Sequence, residues 1–196
     1  MKDHKQNKSI IVVIYTISQL LGWSYILYET IKYTINYHDS KSLNKALLAL
    51  KIFQLTQFLD VIFAKIKLTK ANFMASLIQV TARNLSAFWF YHENTPRNII
   101  LMTLFAWCIA EVVRSLYYLL KDYYFIQFLR YNLFIILYPI GITGEILASE
   151  FYRANNQQFT IPMRIGQLVF IIGFLYLYKY LFHQRREFYQ KSIVKK

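Results

Sequence analysis

Cysteine is almost missing from this chain of 196 residues: Cys108 is the single one. No intramolecular disulfide can form, and nothing indicates an oxidising compartment. Glycine is scarce as well, five residues standing singly within or beside apolar stretches. That leaves no glycine-rich phosphate loop and no nucleophile elbow, so nucleotide hydrolysis and serine hydrolysis fall away. The four histidines, His4, His38, His92 and His183, are far apart and none stands at metal-ligand spacing on a helix. A di-iron or zinc enzyme is not expected. Low-complexity linkers and internal repeats are also lacking, so the two-halves design common in transporters has no support.

Apolar and aromatic residues fill the space left by these absences, at 56% and 18% of the chain. They cluster in blocks near Ile10 to Ile35, Ala46 to Phe63, Asn72 to Tyr91, Ile99 to Leu120, Phe125 to Leu147 and Ile161 to Phe182. Each is long enough to cross roughly 30 Å of hydrocarbon as a helix. The pattern predicts an all-α polytopic membrane protein, a bundle of about six transmembrane helices. The second block is the most interrupted, by Lys51, Gln54, Gln57 and Asp60. The first is too long for a cleaved signal peptide and is expected to remain as a signal anchor. No soluble domain is left over, so residues 1–196 read as a single integral-membrane domain with basic tails at 1–9 and 184–196.

A net charge of +13 would suit nucleic acid if it formed one patch, but the cations sit in tails and short loops beside apolar blocks. Topology explains them, and no nucleic-acid partner is expected. With six crossings, Lys2, Lys5, Lys8, Lys65, Lys67, Lys70, Lys121, Arg185, Arg186, Lys191, Lys195 and Lys196 share one side. Lys41, Lys45, Arg97, Arg153 and Arg164 face the other. The positive-inside rule then puts both termini in the cytosol. Asn7-Lys8-Ser9 matches a glycosylation pattern but falls in the cytosolic tail.

Ionisable residues inside the blocks carry the functional signal: Glu29, Asp60, Arg83, Glu111, Arg114 and Glu145, with Arg130 near an end. Unpaired, they would cost on the order of 10 kcal/mol together, so they should face the bundle interior and pair. Glu111 and Arg114 at i, i+3 share a helix face and suit an ion pair. Arg83 and Arg130 suit either acids or phosphate. Cys108 followed by Arg114 and Ser115 has the bare spacing of a tyrosine phosphatase loop. The intervening Ile109, Ala110, Glu111, Val112 and Val113 are helix-compatible and include an acid, so no thiolate cradle is expected. The segment Leu129 to Glu145, LRYNLFIILYPIGITGE, holds a phenol, a helix breaker and a carboxylate in one apolar run. Seven residues apart, Tyr138 and Glu145 lie within about 20° on one helix face but roughly 10 Å apart along it. Pro139, Gly141 and Gly144 permit bending or local unwinding that would bring them together. A packing tyrosine and a paired glutamate at a proline kink fit the same residues.

Four motifs carry a resemblance. QVTAR (Gln79 to Arg83), AWCIAEVVRSLYY (Ala106 to Tyr118), LRY (Leu129 to Tyr131) and LYPIG with its closing Glu145 resemble elements of the 3-hydroxyacyl-CoA dehydratases, the protein tyrosine phosphatase-like family. Ala82 and Ser115 replace a usual Ser and Tyr. Where the family tends to have LE, then H and G, this chain has Leu59, Asp60, Phe63 and Lys67.

The resemblance implies elimination of water from a very-long-chain (3R)-3-hydroxyacyl-CoA to give the trans-2-enoyl-CoA, the third step of the fatty acid elongation cycle. Tyr138 and Glu145 are the implied catalytic pair, with the division into acid and base open and Glu145 favoured as base. Arg83, Glu111, Arg114, Arg130 and Tyr131 are implied as substrate-binding or structural support. No cofactor or metal is implied. The implied partners are the acyl-CoA, the bilayer and the elongase and reductases of the cycle, in a multi-pass protein of the endoplasmic reticulum. Arg130, Lys65, Lys67 and Lys70 are candidates for steering the anionic CoA head. An inactive scaffold of the same fold is the competing expectation, which the intact Tyr138 and Glu145 oppose. A small transporter would need a second broken helix in a matching half.

Overall fold

The computed structural model describes residues 10–36, 39–69, 71–91 and 95–194. Lys2, Lys5, Lys8, the Asn7-Lys8-Ser9 pattern, His4, His38, Lys70, His92, Lys195 and Lys196 lie outside them, as does the whole of the 1–9 tail. Among the described residues the structure is helical throughout, with no strand. In chain order the helices are α1 (Ile10–Ile35), α2 (Ser40–Thr56), α3 (Phe58–Lys65), α4 (Phe73–Leu85) with a π turn at Ser86–Phe90, α5 (Arg97–Leu119), α6 (Tyr124–Asn132), α7 (Phe134–Asn155) and α8 (Thr160–Val194).

Among the described residues five stretches are long and apolar enough to cross a membrane: Ile10–Ile35, Ser40–Lys65, Arg97–Leu119, Phe134–Asn155 and Thr160–Gln190. Their outer faces explain why the hydrophobic blocks are so long. Ile10, Ile14 and Leu21 on α1 and Ile161, Leu168 and Ile172 on α8 are exposed. Such a belt suits hydrocarbon and would be a liability in water.

Two blocks differ from the sequence reading. The run from Asn72 to Tyr91 is not among the five; it forms α4 and the π turn. Asn72 caps its start, its side chain accepting the Ala75 N–H at 3.0 Å. Arg83, Asn84 and Ser86 are buried in the bundle. The fifth block is divided at Leu133, so that α6 is short and the crossing helix begins at Phe134. The basic segment 184–194 continues α8 as helix.

Helix α5 is the centre of the bundle, packed on α1 along one side and α7 along the other. Trp23, Ile26, Leu50, Leu104 and Cys108 are fully buried there. Glycine sets two close approaches. A Cβ on Gly22 would stand 2.2 Å from the Phe53 ring, between α1 and α2, and one on Gly144 would stand 2.0 Å from Thr103 Oγ1, between α7 and α5. Cys108 lies inside α5, where backbone N–H groups are already committed to helical hydrogen bonds. No phosphate cradle can form around it.

The end of α3 accounts for one departure from the family pattern. Lys67 has a φ of 57°, and the Leu68 and Lys67 N–H groups donate back to the Phe63 and Ala64 carbonyls at 2.9 and 3.2 Å. This is a Schellman ending, whose left-handed residue is ordinarily glycine. Lys67 bears that conformation at about 1 kcal/mol. Lys67→Gly is expected to raise stability by about that amount, and Lys67→Val to lower it, as read by thermal unfolding in detergent.

Candidate active site

Helix α7 presents Tyr138 and Glu145 to one cavity of about 390 Å³ between α4, α5, α7 and α8. Arg83, Gln79, Trp107 and Gly141 share its wall, and the rest of the lining is mainly aliphatic and phenylalanine. The bend anticipated at Pro139 takes another form. Residues 134–155 remain helical through the proline, so the separation of roughly 10 Å along the axis stands. Pro139 has no N–H to offer the Ile135 carbonyl, and Tyr178 of α8 donates its hydroxyl there at 3.2 Å. The helix breaker thus becomes a point where α8 is tied to α7. Gly144 permits the close approach of α5, which carries Trp107 up to the glutamate.

Glu145 is buried, at 6% exposure, and both of its oxygens meet donors. Trp107 Nε1 donates to Oε1 at 3.0 Å, and Ser86 Oγ lies 3.1 Å from Oε2. An indole N–H can only donate, so the site is arranged around a carboxylate held as an acceptor. Ser86 belongs to the π turn, a local widening of the helix common at functional sites.

Behind this pair runs a chain of buried charges. Asp60 on α3 meets Arg114 at 2.9 Å, Arg114 meets Glu111 at 3.3 Å, and Glu111 meets Arg83 of α4 in a short ion pair. Two acids and two arginines balance to zero, which is what an apolar surrounding demands. The Arg83 guanidinium is held between two indoles, 4.6 Å from the Trp107 ring centre and 5.2 Å from that of Trp23. Its Nε and Nη2 carry no hydrogen-bond partner, although the residue is only 6% exposed and lines the cavity.

The expected support residues therefore divide. Arg83, Glu111 and Arg114 come together as one network, with Asp60 as its fourth member. Arg130 and Tyr131 on α6 form no hydrogen bond or ion pair with it among the described residues. Tyr131 stacks on Phe188 at 4.7 Å and its hydroxyl meets that of Tyr117 at 3.1 Å, fastening α6 between α5 and α8. Arg130 makes no ion pair among the described residues. Sequence reasoning missed Ser86 and did not single out Trp107. Trp107 was within reach: four residues before Glu111, it occupies the same face of α5 one turn away. Nothing in SAFWF distinguishes Ser86, because its partner lies 59 positions on.

Such a fold and site define an integral-membrane helical bundle with a carboxylate and a phenol facing one apolar cavity. The family model described as protein tyrosine phosphatase-like protein, PTPLA, matches residues 54–191, and the chain belongs to that family. It is 31% identical to the very-long-chain (3R)-3-hydroxyacyl-CoA dehydratase hpo-8 of Caenorhabditis elegans, over 90% of this chain and 93% of the relative. Identity is 28% with the human very-long-chain (3R)-3-hydroxyacyl-CoA dehydratase 2, over 90% and 79%. It is 20% with the rice dehydratase PASTICCINO 2B, over 91% and 92%. No solved structure matches the chain.

Removing one member of the buried charge chain strands the others in an apolar medium. Glu111→Gln, which leaves Arg83 without a counter-ion, is expected to destabilise the detergent-solubilised protein by about 3 to 5 kcal/mol. Neutralising the exposed Glu187 at the same temperature scan should change little.

Proposed function

We propose that the protein is a very-long-chain (3R)-3-hydroxyacyl-CoA dehydratase, a hydro-lyase acting in fatty acid elongation, and that Tyr138 and Glu145 are its catalytic pair. The observation that carries the assignment of residues is the shared cavity: a carboxylate with both oxygens accepting hydrogen bonds and a phenol facing the same apolar space.

Elimination requires two proton movements around the Cα–Cβ bond. Glu145 takes the proton from the carbon alpha to the thioester, and the electron pair forms the new double bond. The bond from Cβ to its hydroxyl oxygen breaks, with Tyr138 supplying the proton that lets water leave. Proton return from the glutamic acid to the tyrosinate restores the site. With about 10 Å between the two along the helix, one of them acts through a single bridging water, a reach general acid–base catalysis tolerates. Negative charge develops on the thioester oxygen as the alpha proton departs. The unpartnered Nε–H and Nη2–H of Arg83 are donors suited to that charge in a dry cavity. Ser86 and Trp107 orient the base.

The acyl chain explains the setting. Each methylene kept from water is worth about 0.8 kcal/mol, so a very long chain belongs in a site reached from the bilayer. The endoplasmic reticulum membrane, cytosolic termini, residues 1–196 acting as one domain, and elongase and reductase partners complete the reading.

The test is conversion of a long-chain 3-hydroxyacyl-CoA by the purified protein. Tyr138→Phe and Glu145→Gln are each expected to lower kcat by about 10² to 10⁴ while the protein stays folded. Trp107→Phe keeps the ring beside Arg83 but frees Glu145 Oε1, and should lower kcat by about tenfold with KM little changed. A folded wild type inactive across chain lengths would favour a scaffold.

A further inference from the structure

Glu145 borders two cavities. The second, about 630 Å³, continues from the first along α7 and α8 and is bordered on its other side by the π turn. Ala82, Leu85, Gly166 and Phe170 belong to both walls. Beyond them the second is lined mainly by apolar side chains, including Phe88, Trp89, Phe90 and Met163.

Helix α8 explains why the space exists. At Gly173 it comes so close to α4 that a Cβ would stand 3.1 Å from Ile78, whereas a Cβ at Gly166 would meet nothing within 4 Å. The two glycines are seven residues apart and so share a face. The helices therefore touch at one glycine and part at the other, and the gap they leave is the passage between the cavities.

Charge gives the passage a direction. Toward the far end of the second cavity, Arg153 and Arg164 share the single carboxylate of Glu150, which leaves one net positive charge there. Beyond the Tyr138 end stand Arg130 and, farther along α8, Lys179, Arg185 and Arg186, none in an ion pair among the described residues. The cations without an acidic partner next to the cavities are more numerous at the Tyr138 end, so a polyanionic head is favoured more strongly there, and the apolar second cavity suits the alkyl tail.

We infer that the second cavity is the acyl-chain chamber, entered through the gap at Gly166, and that its floor around Met163 sets the longest chain accommodated. This rests on the dehydratase reading above. A chain extended past Glu145 passes Gly166 first and Met163 about 4.5 Å later, three helical residues farther along α8.

Two obstructing variants test it, Gly166→Leu at the gap and Met163→Trp at the floor, assayed on a ladder of saturated 3-hydroxyacyl-CoAs of increasing length. In wild type, kcat/KM should climb by up to about fourfold per added methylene until the chamber is full. Both variants should flatten this climb, Gly166→Leu at a shorter length than Met163→Trp, so that the long-to-short ratio falls by at least about 30-fold, which corresponds to two or three methylenes left unburied. An unchanged ratio, or equal loss at every length, would overturn the inference.

A second measurement does not require turnover. A 3-hydroxyacyl-CoA carrying a diazirine near its methyl end is expected to crosslink wild type at 86–90 and 162–167, and Gly166→Leu should abolish those adducts. Adducts confined to the lipid-facing residues of α8 would overturn the chamber. Crosslinks in the chamber with an inactive wild type would separate a correct binding site from a wrong reaction.

Discussion

The neutral chain Asp60, Arg114, Glu111 and Arg83 is the interaction on which the rest of the bundle depends. Ionised side chains in an apolar medium persist only when each finds a counter-ion. These four lie on α3, α4 and α5, so satisfying them dictates how three helices stand. Much of this network's worth is positional: Arg83 is brought beside the cavity and held by two indoles.

Trp107 connects that network to Glu145. One face of its ring receives the Arg83 guanidinium and its N–H reaches Glu145. The same residue thus fixes both a cation and a carboxylate from a single helix, α5, whose approach to α7 Gly144 makes possible. Separating the two charges by an aromatic ring avoids a direct ion pair that would occupy both groups. The glutamate is left oriented, and the arginine keeps donors free.

Rigidity and looseness are distributed accordingly. Helices α1, α5 and α7 pack intimately, whereas α8 touches α4 at Gly173 and diverges from it beyond. Pro139 anchors α8 to the firm side, because the carbonyl it releases takes the Tyr178 hydroxyl. A firm wall of α5 and α7 thus faces an outer helix that leaves a gap at Gly166.

The sequence by itself determined the class of the molecule and which ionisable side chains share a helix face. Block length against bilayer thickness, and the i, i+7 and i, i+3 spacings of Tyr138 with Glu145 and Glu111 with Arg114, are properties of one helix and can be read along it. The divided block at Leu133, the inward α4 and the left-handed Lys67 escaped because local hydrophobicity does not record where a helix stops or what its polar groups meet. Whether Arg83 served an acid or an anion, and whether Pro139 unwound α7, depended on Glu111 and Tyr178, which lie 28 positions from the one and 43 from the partner carbonyl of the other. Only tertiary structure decided these, because a buried charge or an orphaned carbonyl takes whichever partner packing places within reach.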